Sequence, residues 1–259
     1  IMAALSQAQH DRPASALAFK QALLGLAAAP PAPAPRPGAP PATGATAHIA
    51  ANATIALPQV QRAWESWPVV MAESFRDNRN KWSVMYTDNE YMVGERRVGV
   101  GRLHFNITSR QRMVTKSTPE SLRAQPRAPG FYIEAQMLRV AGTTQVSYGL
   151  LFARCNANDY YSFQICDDQR YAMWVFRDNV WTTLIGWTYA PMIRQAKWNK
   201  LAALVQGPRI TLMINDQYAT DLDNDELPGG SAGLVIEYNA EGLHGIVECA
   251  NFVVRAAPT

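Results

Sequence analysis

The sequence predicts an all-β protein of antiparallel strands, closed as a sandwich or a barrel, behind a short helical segment and a proline-rich linker. Three observations predict it. Beyond residue 61, apolar and polar residues alternate at period two, the signature of strands with one buried face. Turn-forming residues break that alternation at short intervals. Long helical periodicity is missing from the same stretch, and many short strands in succession imply a sandwich or a barrel.

Residues 1–26 read as helical. Asp11 is the expected N-cap, and Pro13 is tolerated in the first turn because the N–H it lacks has no partner there. Ala16, Phe19, Leu23 and Leu26 then recur at three- and four-residue steps and form one apolar face. Gly25 and the prolines that follow stop the helix. Such a helix is marginal alone, because nucleation is costly and its face needs a partner. Residues 27–61 read as a semi-rigid linker: seven of the 17 prolines fall between Pro30 and Pro41, a tract that favours extended conformations over a packed core.

From Trp64 the character changes. All seven tryptophans, all ten tyrosines and seven of the eight phenylalanines lie beyond the linker. In "FYIEAQM", Phe131, Ile133, Ala135 and Met137 point one way; in "RITLMIN", Ile210, Leu212 and Ile214 share a face. The runs "SYGLLFARC", "YYSFQIC", "RYAMWVF" and "VWTTLIGW" follow one another as a meander, separated by "NAND", "DDQ" and "DN". Asn215-Asp216 supplies a further tight hairpin, and Gly229, Gly230 and Gly233 are read as letting the chain reverse.

Composition narrows the function classes. The chain has 259 residues, 48% hydrophobic and 17% charged, enough to bury a sizeable core. A net charge of +3 without a dense Lys/Arg cluster does not argue for a nucleic-acid partner. The longest apolar run near the start, "ALLGLAAAP", is too short to span a membrane and lacks a signal-peptide pattern. Three cysteines, Cys155, Cys166 and Cys249, without C-x-x-C spacing are expected to be small buried thiols in a reducing compartment. The sequons at Asn52 and Asn106 read as chance matches.

Two resemblances follow from these residues. "ALSQAQHDRPASALAFKQAL" resembles the last segment of a bacterial-type Ser/Thr protein kinase: Arg12 and Pro13 match the Arg-Pro pair near the end of that family's C-lobe, and Phe19 and Leu23 the apolar positions after it. The chain holds no Gly-rich loop, H-R-D or D-F-G, so phosphoryl transfer is not expected of it. Residues from Glu73 to about Arg255 resemble the concanavalin A-like/laminin G-like jelly rolls. The matching pieces are "ESFRDNRNKW", "YGLLFARCNANDYYSFQI", "WTTLIGWTYAPMI", "KWNKLAALVQGPRITLMINDQYATDL" and "GGSAGLVIEY…VECANFVV", in that order. The resemblance implies a two-sheet antiparallel jelly-roll sandwich over residues 62–259, with a concave sheet that often holds a sugar. Together the two imply a non-catalytic ligand-binding or sensor module, carbohydrate-directed, with a glycan or small molecule as its ligand, appended to a kinase.

Catalytic chemistry finds little support. The E-x-D-x-x-E spacing that sets two carboxylates along one strand of sandwich glycosidases does not occur. Glu237 and Glu241 read as solvated surface charges. "DLDNDELPGG" fails the calcium-hand pattern, with Glu226 and Ala232 at its sixth and twelfth positions, and reads as a solvated hairpin loop. The four histidines have no nucleophile at recognisable spacing. No catalytic residue, metal or cofactor is therefore expected; a hydrolase and a protein-interaction spacer stay as alternatives. The expected binding residues are Trp174 for stacking, with Gln164, Ser162, Tyr160 and Arg154 beside it. Gln164 and Ser162 leave the core because Phe163 and Ile165 enter it, while Arg154 joins them only if its register is right.

Overall fold

The computed structural model describes residues 59–122, 130–227 and 229–258. The expected helix with Asp11, Arg12, Pro13 and Phe19, and the linker up to residue 58, lie outside the described residues. Fifteen strands are described: β1 (Val69–Glu73), β2 (Met85–Asp88), β3 (Met92–Gly99), β4 (Arg102–Ser109), β5 (Met113–Ser117), β6 (Gly130–Gly142), β7 (Val146–Arg154), β8 (Tyr160–Cys166), β9 (Arg170–Arg177), β10 (Val180–Tyr189), β11 (Asn199–Gln206), β12 (Arg209–Ile214), β13 (Gln217–Asp223), β14 (Ser231–Tyr238) and β15 (His244–Ala256).

They form two antiparallel sheets. One runs β13-β12-β11-β6-β15-β4-β3-β2, with β1 added beside β15; the other runs β10-β9-β8-β7-β14-β5. The expected two-sheet antiparallel sandwich is the observed one. The meander β7 to β10, which the alternation predicted, supplies four strands of the six-stranded sheet. Its inward positions meet those of the larger sheet in one core: Leu150, Phe163 and Ile236 from one side, Phe105, Ile133 and Leu212 from the other, all at most 1% exposed. Asp178 and Asn179, and again Asn215 and Asp216, sit at positive φ, the left-handed pair that a two-residue hairpin turn requires. Gly233 has a different task from the expected chain reversal. It lies within β14, where a Cβ would stand 2.3 Å from the Ser117 carbonyl of the neighbouring strand.

Two polar clusters tie the sandwich. In the opening stretch, the buried Glu73 carboxylate accepts from Phe75 N (2.7 Å), Asn80 Nδ2 (2.7 Å) and Trp82 Nε1 (3.2 Å). At the turn after β8, Asp167 accepts from Tyr148 Oη (2.7 Å) and Arg139 Nε (3.0 Å), and from Ala196 N (3.2 Å), so it links β6 of one sheet to β7 of the other. The outer face of the larger sheet is partly covered by a 3-10 helix, Gln59–Ser66, which starts before the expected boundary at 62. Trp64 stacks on Tyr132 at 5.4 Å and 15°, and Trp67 joins Ala202, Leu204 and Met213 in the same cluster.

Burial also sets a pH dependence. It pushes the Tyr161 hydroxyl up to about 12 and, with a hydrogen bond to Asp168, the Cys166 thiol up to about 12, from ordinary values of 10.0 and 9.0. Both groups stay protonated in the folded chain at pH values where the unfolded chain releases the proton. Their contribution is complete below pH 9 and is lost as pH rises towards 12. The urea midpoint is therefore expected to fall steadily above pH 9; a midpoint flat from pH 8 to 11 would contradict this burial.

Candidate ligand-binding face

The outer face of the six-stranded sheet is defined by the residues that alternate with the core. Tyr161, Phe163 and Ile165 of β8 enter the core, so Tyr160, Ser162, Gln164 and Cys166 project the other way. Cross-strand partners share a face. Ser162 lies opposite Trp174 on β9 and Leu151 on β7, and Gln164 opposite Ala172 and Gly149. The next strand over, β14, contributes Glu237, which lies opposite Ser147.

These residues make a polar floor. The Ser147 hydroxyl donates to Gln164 Oε1 (2.6 Å), and Gln164 Nε2 donates to Ser162 Oγ (2.8 Å) and reaches Glu237 Oε2 (3.5 Å). Glu237 Oε1 in turn takes a hydrogen bond from Arg112 Nη2 at 3.1 Å. Ser162 and Gln164 are 0% exposed. Both Gln164 amide hydrogens are thus directed at protein acceptors, and the buried side chain is not open to a ligand hydroxyl. Glu237 is not the solvated charge its sequence context suggested: its side chain is 12% exposed and ion-paired, while that of Arg112 is 73% exposed.

Aromatic groups stand at both ends of β10. Near its start, Trp181 lies on Phe176 (4.7 Å) and edge-on to Tyr160 (5.8 Å), with Lys116 Nζ 4.5 Å from the centre of the Tyr160 ring. Near its end, Trp187 packs edge-on against Trp174 at 5.3 Å, with the Arg170 guanidinium 5.8 Å from the Trp187 ring. Trp181 and Trp187 are 41% and 39% exposed, Trp174 is half-buried and Tyr160 is buried. Register shifts between Thr183 and Thr188 let Leu184 and Ile185 reach the core while both tryptophans stay outside.

Arg154 reaches this side through a bulge. Ala153 has φ 51°, and pairing shifts between Leu151↔Gly233 and Arg154↔Ser231. Its guanidinium donates to Thr118 Oγ1 (2.9 Å) and the Asn156 carbonyl (2.9 Å). Burial, and then the Arg154 charge, pull the Lys116 ammonium below its ordinary value.

The structure thus gathers Tyr160, Ser162, Gln164, Trp174 and Arg154 on one face, and adds Ser147, Arg112, Lys116 and Glu237. Ser147 lies on β7, the neighbour of β8 in the expected meander; the others belong to β5, β14 and the segment before β5, whose place on this face no local sequence pattern displays. Glu237 is the one carboxylate carried by the six strands of this sheet. The described histidines are on the other sheet, His104 facing Glu248 and His244 facing Asn106. Among the described residues no group of three or more His, Cys, Asp or Glu is arranged to hold a metal ion. The acidic stretch is not all loop as expected: Asp221 to Asp223 belong to β13, where Asp221 accepts from Tyr218 Oη and Arg209.

Comparison with known proteins places the fold. The chain is similar to the laminarinase catalytic domain from Thermotoga maritima, with a TM-score of 0.52, 11% identity, and coverage of 74% of this chain and 99% of that one. It is similar to an endo-1,3-β-glucanase from Streptomyces sioyaensis, with a TM-score of 0.50, 10% identity, and coverage of 74% and 97%. A carbohydrate binding module from Bacillus subtilis aligns at a TM-score of 0.44 and 15% identity, over 68% of this chain and 95% of that one. At these identities the likeness is one of fold: a concanavalin-like jelly-roll sandwich. No family model and no curated protein matches the chain. No described helix is long and apolar enough to cross a membrane.

Proposed function

We propose that the sandwich is a non-catalytic, carbohydrate-directed binding module that works through the outer face of its six-stranded sheet. The observation that carries the reading is the pair of tryptophans, Trp181 and Trp187. Each is about two-fifths exposed and held by aromatic neighbours, on a face whose accessible polar side chains include Arg112 and Arg170. A sugar ring offers a C–H face to such a surface and hydroxyls to the polar groups beside it. The jelly-roll fold shared with a laminarinase and an endo-1,3-β-glucanase supports a carbohydrate ligand.

The same fold supports a second reading, a carbohydrate-active hydrolase. Hydrolysis by the usual route needs two carboxyl groups flanking the bond. The outward positions of β8 are Tyr160, Ser162, Gln164 and Cys166, and Glu237 is committed to Arg112 and Gln164. Release of reducing ends from a β-glucan by the purified chain would replace the binding reading with this one. The proposal also keeps the domain order of a helical remnant resembling the end of a kinase C-lobe at 1–26, on the resemblance carried by Arg12, Pro13, Phe19 and Leu23, a linker at 27–61 and the module at 62–259.

The test is a glycan array with the full chain, followed by calorimetry on the tightest ligand. Trp181→Ala and Trp187→Ala are each expected to weaken binding about tenfold with the fold intact. Affinities within twofold of wild type in both variants would move the site off this face.

A further inference from the structure

Three buried side-chain polar atoms lack a hydrogen-bond partner among the described residues: Thr87 Oγ1, Arg96 Nε and Ser117 Oγ. All three gather at one edge of the sandwich. Arg96 lies on β3 opposite Phe105, a core residue, so its side chain points between the sheets. On β2, Met85 lies opposite Arg96, and Thr87 lies opposite Gly94, two residues before it on the same face. From the other sheet, the Lys116 carbonyl accepts from Arg96 Nη1 at 2.9 Å. The next residue, Ser117, lies opposite the core residue Leu234, so its hydroxyl also points inward.

Arg96 is 9% exposed and Ser117 1%. No carboxylate among the described residues stands within ion-pair distance of Arg96. Its other terminal nitrogen meets the thioether of Met85, a weak acceptor on a flexible side chain that is 41% exposed. A guanidinium taken out of water is normally met by an anion, because neutral acceptors do not repay its lost hydration. Burial accordingly holds this group below its ordinary value. A trapped water would satisfy one hydroxyl and leave the charge uncompensated. An oxyanion would accept from Nε and from both hydroxyls, and Met85 at the rim is the side chain that would yield to it.

We propose that the inner edge between β2–β3 and β5 is a binding site for a small oxyanion, a carboxylate, sulfate or phosphate group, held by Arg96 with Ser117 and Thr87 as hydroxyl donors. It lies on the opposite side of β5 from the carbohydrate-directed face and does not depend on that reading.

The test is thermal unfolding of the full chain against increasing sulfate, phosphate, acetate or glucuronate, with ionic strength held constant by chloride. The expected result is a saturable rise in unfolding temperature, about 3–6 °C at tenfold the dissociation constant. Arg96→Met is expected to abolish it. Ser117→Ala, which removes a hydroxyl that has no partner to lose, is expected to fold normally and weaken the anion about tenfold. Saturation by sulfate and phosphate identifies a free inorganic ion; saturation by glucuronate alone identifies a carboxylate on a larger ligand. A linear rise shared by wild type and Arg96→Met is the general salt effect and overturns the proposal. So does a saturable rise that Ser117→Ala leaves unchanged, or no response to any anion.

Discussion

Replacing Gly149 with alanine is expected to cost the sandwich at least about 3 kcal/mol of stability. Gly149 sits in the middle of β7 opposite Gln164, and a Cβ there would stand 1.9 Å from the Phe163 carbonyl and 2.8 Å from the Gln164 Cα. Both are backbone atoms of the paired strand, so no side chain can swing aside to relieve the contact. The strands must part, and the floor built on Gln164 parts with them. Gly186→Ala is the control, since a Cβ at that position meets nothing within 4 Å. It is expected to stay within about 0.5 kcal/mol of wild type. Urea unfolding of the two variants decides the matter: equal, small losses would show that β7 and β8 are not held as close as described.

The second large effect is expected at Asp167. Asp167→Ala removes the shared acceptor of Arg139, Tyr148 and Ala196 N. The Arg139 side chain, 11% exposed, then keeps only the Gly142 carbonyl, and the Tyr148 hydroxyl, in the core, loses its acceptor. An unpartnered buried charge makes this a loss of about 3–5 kcal/mol. Adding Arg139→Met to Asp167→Ala is expected to recover part of it, because the stranded cation is then gone. A double variant as unstable as the two single losses added together would mean that the residues do not act as a unit.

The architecture was legible because alternation is a local signal. Phe163 and Ile165 going inward is enough to send Ser162 and Gln164 outward, and the Asn215-Asp216 turn declares itself by residue type. What alternation does not carry is what lies beside an outward residue. Gln164 reads as an open amide for a ligand hydroxyl; in the sheet it is covered and engaged by Ser147, Ser162 and Glu237, which arrive from three strands. Glu237 reads as a surface charge for the same reason, since β14 joins β7 only through a long-range pairing. Bulges were equally hidden. Ala153 adopts φ 51° without being a glycine or asparagine, so nothing in its identity announces the half-turn that carries Arg154 to the outer face. The edge site at Arg96 is invisible in sequence because its parts come from both sheets.

The pairing of β1 with β15 has a mechanical consequence. Val69 lies opposite Arg255, and Glu73 opposite Phe252. The incoming chain at Pro68 and the outgoing chain at Ala256 therefore meet at one end of the pair, joined there by a hydrogen bond of 3.1 Å from Ala256 N to the Pro68 carbonyl. Tension applied through both connections loads that ladder one rung at a time and peels β1 away, rather than shearing all its rungs together. β15 keeps β6 on its other side while this happens. The six-stranded sheet shares none of these rungs, so once the Trp64 and Trp67 contacts ahead of β1 give way, the loss of β1 leaves the tryptophan-bearing face paired as before.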